Sequence, residues 1–305
     1  MPTVITRGGM AAKATGFTSF APASDACAGI FTTSYSNTAR QKYLFACNAN
    51  ASAAAISSGS NYNASAGNKT RIITALGFAS SPCGASAVRR KYLWACNTDN
   101  AATAQGYGAS CRKDATGTSN LGIFAKGSGY ATTEKYTYSC DAVASTTSLT
   151  GGLSRGGSAG NSTKAIFALG YVNSPYTQRN KYTYACAGVA SAASASAGVY
   201  EGTAMGNATK GIFALGYATF CTSKIRNKYL YACCTSASGA SSSANMCSPV
   251  GTGNSTFGVM GYNSSSSREK YTYATDSNST GVAAFTSSLG AGQSAASNGI
   301  TGVNG

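Results

Sequence analysis

The stretch Lys181-Tyr182-Thr183-Tyr184-Ala185-Cys186 decides the fold, because the chain keeps returning to it. Close copies begin at Lys42 (Tyr43, Phe45, Cys47), Lys91 (Tyr92, Trp94, Cys96) and Lys135 (Tyr136, Tyr138, Cys140). Two more begin at Lys228 (Tyr229, Tyr231, Cys233) and Lys270 (Tyr271, Tyr273, Thr275). The starts are 49, 44, 46, 47 and 42 residues apart. Aromatic residues alternating with small or polar ones read as a β-strand. Recurrence at this spacing reads as a repeat architecture.

A second motif runs in step. Gly211-Ile212-Phe213-Ala214-Leu215-Gly216-Tyr217 recurs as Ala165 to Tyr171, with weaker forms at Ile72 to Phe78, Ile123 to Gly127, Val259 to Tyr262 and Gly29-Ile30-Phe31. Gly67-Asn68, Gly160-Asn161, Gly206-Asn207 and Gly253-Asn254 introduce several of these runs. Gly and Asn tolerate left-handed backbone, so the pairs mark hairpin turns. Turn chemistry also accounts for Asn-x-Thr triplets such as Asn68-Lys69-Thr70, which are not read as glycosylation sites.

From each motif Lys to the apolar residue opening the next Gly strand the count is 30, 32, 31, 31, 31 and 30; from that residue to the next Lys it is 12, 19, 12, 15, 16 and 11. The first interval is rigid framework, and the second holds a loop free to vary, where function usually sits.

Ser297-Asn298-Gly299-Ile300-Thr301 reads as a seventh turn and Gly strand, after which the chain ends without a seventh Lys-Tyr strand. The N-terminal run Thr3-Val4-Ile5-Thr6 can supply that strand. The expectation is one all-β domain over residues 1–305, a propeller of seven four-stranded blades. Its ring would be closed by residues 2–8 with 281–305; counting Lys-Tyr strands alone gives six blades. Closure removes the exposed end sheets of an open solenoid.

The chain resembles a degenerate kelch repeat. On that resemblance Lys181 to Cys186 is the third strand of a blade and Val189 to Ala195 its fourth. Ala197 to Ala204 is then the first strand of the next blade and Gly211 to Tyr217 its second. The family's double Gly is mostly Leu-Gly-Tyr here, and its characteristic Trp is absent except for Trp94, in a different place. Lys-Tyr-Thr-Tyr together with Gly-Ile-Phe-Ala-Leu-Gly-Tyr also resembles propeller proteins of bacteriophage virions.

The 305 residues include 23 Lys and Arg against 8 Asp and Glu, a net charge of +15. Arg40, Arg89, Arg90, Arg179, Arg226 and Arg268 precede Lys-Tyr strands. They read either as charges guarding β edges or as a rim that docks on an acidic or polar surface. No base-stacking module accompanies the charge, so specific nucleic-acid recognition is not expected. No charged region followed by an apolar run opens the chain, and no stretch reaches the ~18 apolar residues of a membrane span. Neither a secretory signal nor membrane insertion is therefore expected.

The absence of His removes the usual general base and the commonest metal ligand. The carboxylates are scattered singly, and Asp141 and Asp276, at one register after Lys-Tyr strands, fit turn geometry. No catalytic, cofactor or metal residue is assigned. Among 11 Cys, Cys47, Cys96, Cys140, Cys186 and Cys233 share one register. The plain reading, preferred for Cys140 and Cys186, is a small buried residue. Three spacings fit disulfides in an oxidising setting: Cys27–Cys47, Cys96–Cys111 and Cys233–Cys247.

Repeated blades without catalytic groups are expected to form a non-enzymatic interaction protein. The phage resemblance implies a virion component, such as a decoration, collar or tail-associated propeller, present in multiple copies against other virion proteins. The alternative is a glycan- or receptor-binding propeller. Location would be the virion, or otherwise extracellular or the host cytoplasm before assembly.

Overall fold

The computed structural model describes residues 28–32, 38–59, 61–77, 86–171, 174–216, 223–246, 248–262, 265–286 and 294–297. They form six antiparallel four-stranded sheets and, among the described residues, no helix. Blade I joins Ser294–Ser297 to Ala28–Thr32, Arg40–Leu44 and Ala49–Ala53. Blades II and III begin at Ala64–Gly67 and Asp114–Gly117, and IV, V and VI at Gly157–Gly160, Thr203–Gly206 and Val250–Gly253. Each of these first strands packs beside the next, and Ser294–Ser297 lies beside both Val250–Gly253 and Ala64–Gly67, so the ring is closed. The protein is a six-bladed β-propeller.

Convergence on the axis explains why the first strands are built from small residues. A Cβ on Gly157 would come within 2.7 Å of the Thr203 carbonyl carbon in the adjacent first strand. The second strands are buried on both faces between neighbouring blades, as at Ile166, Phe167, Ile212 and Phe213. That double burial is why they read as continuous apolar runs.

The expected seven blades become six because the ring closes one strand earlier than the count from Ile300 implies. Ser294–Ser297 pairs with Ala28–Thr32 in the register Gly29↔Ser297, Ile30↔Ala296. Blade IV pairs Ala165 with Gly160 and Ile166 with Ala159 in the same way. Ile30 therefore holds the place expected for Ile300, and blade I takes its innermost strand from the C-terminal part of the chain. Residues 2–8 and 298–305 lie outside the described residues.

The Gly-Asn pairs form the first-to-second-strand turns. In each, the Asn carboxamide accepts from the residues two and three ahead: Asn161 Oδ1 receives Thr163 N at 2.9 Å and Lys164 N at 3.1 Å. Asn68, Asn207 and Asn254 repeat this arrangement. At the third-to-fourth-strand turn, Asn48, Asn97, Asp141, Ala187, Cys234 and Asp276 adopt φ of 50° to 56°. The first motif tyrosine reaches that residue in several blades, as Tyr43 OH does to Asn48 Oδ1 at 2.9 Å and Tyr136 OH to Asp141 Oδ1 at 2.7 Å.

The arginines expected on a partner-facing rim are instead the joint between blades. Arg40, Arg89, Arg179, Arg226 and Arg268 occupy one register of the third strand and are 5% exposed or less; Thr133 takes the place in blade III. Each guanidinium lies over an aromatic ring of the next blade: Arg89 over Phe124 at 4.6 Å, Arg179 over Phe213 at 4.4 Å, Arg268 over Phe31 at 5.0 Å. Arg40 and Arg226 use Tyr92 and Tyr271. Arg40, Arg89 and Arg226 also ion-pair with Asp99, Glu134 and Glu269 of the neighbour. Arg179 and Arg268 have only neutral acceptors, including Asn227 Oδ1 at 3.3 Å and Asn50 Oδ1 at 2.6 Å, and burial lowers both to about 10. Arg90 is half-buried and pairs with Asp99 at 2.7 Å.

Removing one member of a buried ion pair leaves a stranded charge, which costs about 3–5 kcal/mol. Arg89→Met, which strands Glu134, is therefore expected to lose about that much stability in urea unfolding. Arg179→Met, which strands only neutral groups, is expected to lose clearly less. Equal losses would contradict this account of the joint.

Candidate functional site

The two rims of the ring differ in how far they vary. First-to-second-strand turns have three residues between strands in every blade continuous in sequence, and third-to-fourth-strand turns have four in all six. On the opposite rim the second-to-third-strand connections run from two residues, between Gly127 and Tyr130, to thirteen, between Ala75 and Arg89. This agrees with the unequal sequence intervals and places all the turn-length variation on one face.

That rim opens onto a pocket on the ring axis, of about 520 Å³ counted to the open solvent at its mouth. Its walls are the starts of the first strands of all six blades, from Tyr62 and Asn63 through Arg112 to Asp114, Arg155, Glu201, Ser248 and Ser294. Tyr62, Arg112, Arg155, Glu201 and Ser248 hold the same place, two residues before the first strand. All have positive φ, between 42° and 56°. A left-handed backbone is unfavourable for such side chains, and recurrent strain of this kind collects at functional sites. The same sequence place in blade I is Gly292, outside the described residues.

The pocket's side chains are partly locked together. Arg155 donates to Glu201 Oε1 at 2.6 Å and to Tyr200 OH, and its guanidinium lies 5.1 Å from the Tyr62 ring centroid. Tyr62 OH approaches Glu201 Oε1 at 3.4 Å, and Ser248 Oγ donates to Glu201 Oε2. Lys113 is buried; its Nζ donates to the carbonyls of Leu76 and Ser86, fastening the longest connection to the pocket wall. Burial brings the Lys113 amine down to about 7.

Arg112 and Asp114 stand apart. Arg112 has no ion pair among the described residues; it stacks 5.8 Å from the Tyr62 ring centroid, and its Nε has no acceptor. Asp114 is the one described carboxylate without a cationic partner, since Asp99, Glu134, Asp141, Glu201, Glu269 and Asp276 are all paired. Burial raises its carboxyl well above the usual range, against the opposing hydrogen bond from Gly156 N–H, and Oδ2 has no partner. None of these residues was singled out by the motif analysis. The available signal is positional: each of the five strained residues lies five before the turn glycine of its blade.

The cysteine register is exposed rather than buried. Cys47, Cys96, Cys140, Cys186 and Cys233 are exposed free thiols on the rim opposite the pocket, because the third-to-fourth-strand turn points them to solvent. Cys96 and Cys111 are not joined. Cys111 is buried three residues before Asp114–Gly117, on the pocket side, so the length of a strand separates it from Cys96. A disulfide needs Cα atoms within about 7 Å, whereas a four- to five-residue strand spans roughly 13–17 Å. Cys47 and Cys233 are likewise free, and their expected partners Cys27 and Cys247 lie outside the described residues. Among the described residues no group of three or more His, Cys, Asp or Glu is placed to hold a metal.

No protein-family model and no curated protein sequence matches the chain. Among solved structures, that of YjhT superposes with a TM-score of 0.59 at 7% sequence identity, over 75% of this chain and 85% of the other. At that identity the likeness concerns the propeller fold alone.

Two outcomes are expected. Because Asp114 titrates higher in the folded than in the unfolded chain, folding loses stability as pH rises from the unfolded carboxylate range through the folded value. Asp114→Asn should therefore raise the melting temperature at pH 7, with the gain vanishing near pH 3; an unchanged or lower melting temperature at pH 7 would contradict this. Alkylation of the native protein should modify the five turn thiols before Cys111, read by peptide mass spectrometry. Cys233 should lead, because the Thr235 hydroxyl, 2.9 Å away, holds its thiol below the ordinary value.

Proposed function

We propose that the protein is a non-enzymatic interaction protein that meets its partner through the rim carrying the axial pocket. The observation that carries this reading is that the variation in connection length falls on that one face, around a pocket lined by side chains of unlike chemistry. Rigid blades with a variable, polar rim suit recognition, since loops on a fixed scaffold can change without disturbing the core. The earlier candidate surface, a ring of arginines, does not support attachment, because those side chains hold the blades together.

The resemblance of the repeats to kelch-type and phage-virion propellers supports assigning the protein to a virion, in several copies beside other virion proteins. Hydrogen exchange on purified particles tests both parts of this reading. The protein should be detected in the particle, and amides around Tyr62, Arg112, Arg155 and Glu201 should be protected relative to the free protein. Protection confined to the Gly-Asn turn face would overturn the choice of rim, and absence from the particle would overturn the virion assignment. A second reading, glycan or receptor binding, is favoured by Tyr62 and Tyr200 beside Arg155; a glycan array with wild-type and Tyr62→Ala protein separates it from the first.

A further inference from the structure

The axial pocket holds the one described carboxylate without a cation and, two residues before it, an arginine without a carboxylate. They do not satisfy each other. Everywhere else the described carboxylates are paired, so the fold has ample means of neutralising charge and does not use them here. Arg112 lines the pocket with its guanidinium 5.8 Å from the Tyr62 ring centroid. Asp114 presents a buried Oδ2 with no donor, at the start of its first strand. Leaving a buried acceptor unsatisfied is unfavourable, and a charge-assisted hydrogen bond there is correspondingly strong. The nearby Arg155–Glu201 pair is already closed on itself and adds no net charge.

We propose that the axial pocket binds a small zwitterion, its oxyanion on Arg112 and its ammonium on Asp114. This rests on the reading of the pocket rim as the working face and names what the pocket itself takes. Both groups line one pocket at the start of the same strand and neither is ion-paired among the described residues, which fits a small ligand carrying both charges, as in a free α-amino acid. A ligand carrying only an anion satisfies Arg112 and leaves Oδ2 unpaired; one carrying only a cation does the reverse.

Calorimetric titration of the full chain with glycine, acetate, glycolate and methylammonium tests this. Glycine should bind at least about tenfold more tightly than any of the other three, a ratio set by the second charged contact. Arg112→Gln should abolish glycine binding, while Arg112→Lys retains part of it. Asp114→Asn, expected to fold at least as stably as wild type, should reduce glycine to the level of acetate. Equal binding of acetate or glycolate would overturn the proposal in favour of a plain oxyanion site, and no saturable binding of glycine would overturn it outright. Particle protection of the rim is read separately, so failure here leaves the proposed contact face standing or falling on its own experiment.

Discussion

The fold depends on one repeated joint, an arginine from the third strand of one blade buried against the next. Its guanidinium is flat and weakly hydrated, so it can lie on an aromatic face and still donate in the plane. Arg89 on Phe124, Arg179 on Phe213 and Arg268 on Phe31 link the two sequence motifs directly. In these joints the residue two places before a Lys-Tyr pair in one blade sits on the Phe of the Gly strand in the following blade. The residue after the Arg register completes the joint by accepting a backbone N–H of the incoming connection. Glu134 takes Gly106 N at 2.8 Å, Asn180 takes Thr150 N at 2.7 Å, Asn227 takes Ser196 N at 2.8 Å, and Glu269 takes Ser243 N at 2.7 Å. Gln41 does the same for Thr286 across the closure of the ring at 2.9 Å. Blade II has Arg90 at this place, and Asp99, held by Arg90, accepts Ser57 N at 3.2 Å instead.

This joint explains why one rim is constant and the other is not. The Gly-Asn turn also reaches across blades, with Asn161 Nδ2 donating to Ala208 O and Asn207 Nδ2 to Ser255 O, both at 3.1 Å. A residue inserted there would break contacts within its blade and with its neighbour. The second-to-third-strand connections stand beyond the arginine layer, where added length displaces less of the packing.

The strands that bear the two motifs were legible because both carry large side chains in register, and their order within a blade was implied only by the resemblance to a kelch repeat. The first strands were placed less well, at 197–204 where the structure has Thr203–Gly206. Runs such as Gly157-Ser158-Ala159-Gly160 have no periodicity, since the crowded axis selects for smallness rather than alternation. The blade count failed for a related reason: Ser294-Ala295-Ala296-Ser297 was invisible as a strand, so Ile300 was counted as opening a new blade. The arginines were misread because charge beside a strand usually guards an edge, and a propeller blade presents its broad faces, not its edges, to its neighbours. The cysteines were misread because Cys is usually buried, while the register here falls on a turn.

Composition makes the axial pocket harder to dismiss as a by-product of duplication. The Asx turns and the arginine joint each serve packing, and where the repeat drifts, as at Thr133, the substitute is still buried and bonded, its Oγ1 donating to Thr147 O at 2.7 Å. The five residues two places before the first strands behave differently. Tyr, Arg, Arg, Glu and Ser share one left-handed position that Gly would occupy without strain. They share no size or charge, so a common structural duty does not explain them. Asp114 adds a further local penalty, a buried carboxyl without a cation in a chain whose net charge is +15. An unpaired carboxyl and side chains of unlike chemistry at one mouth of the axis, on the rim that carries the loop variation, support the proposed contact face.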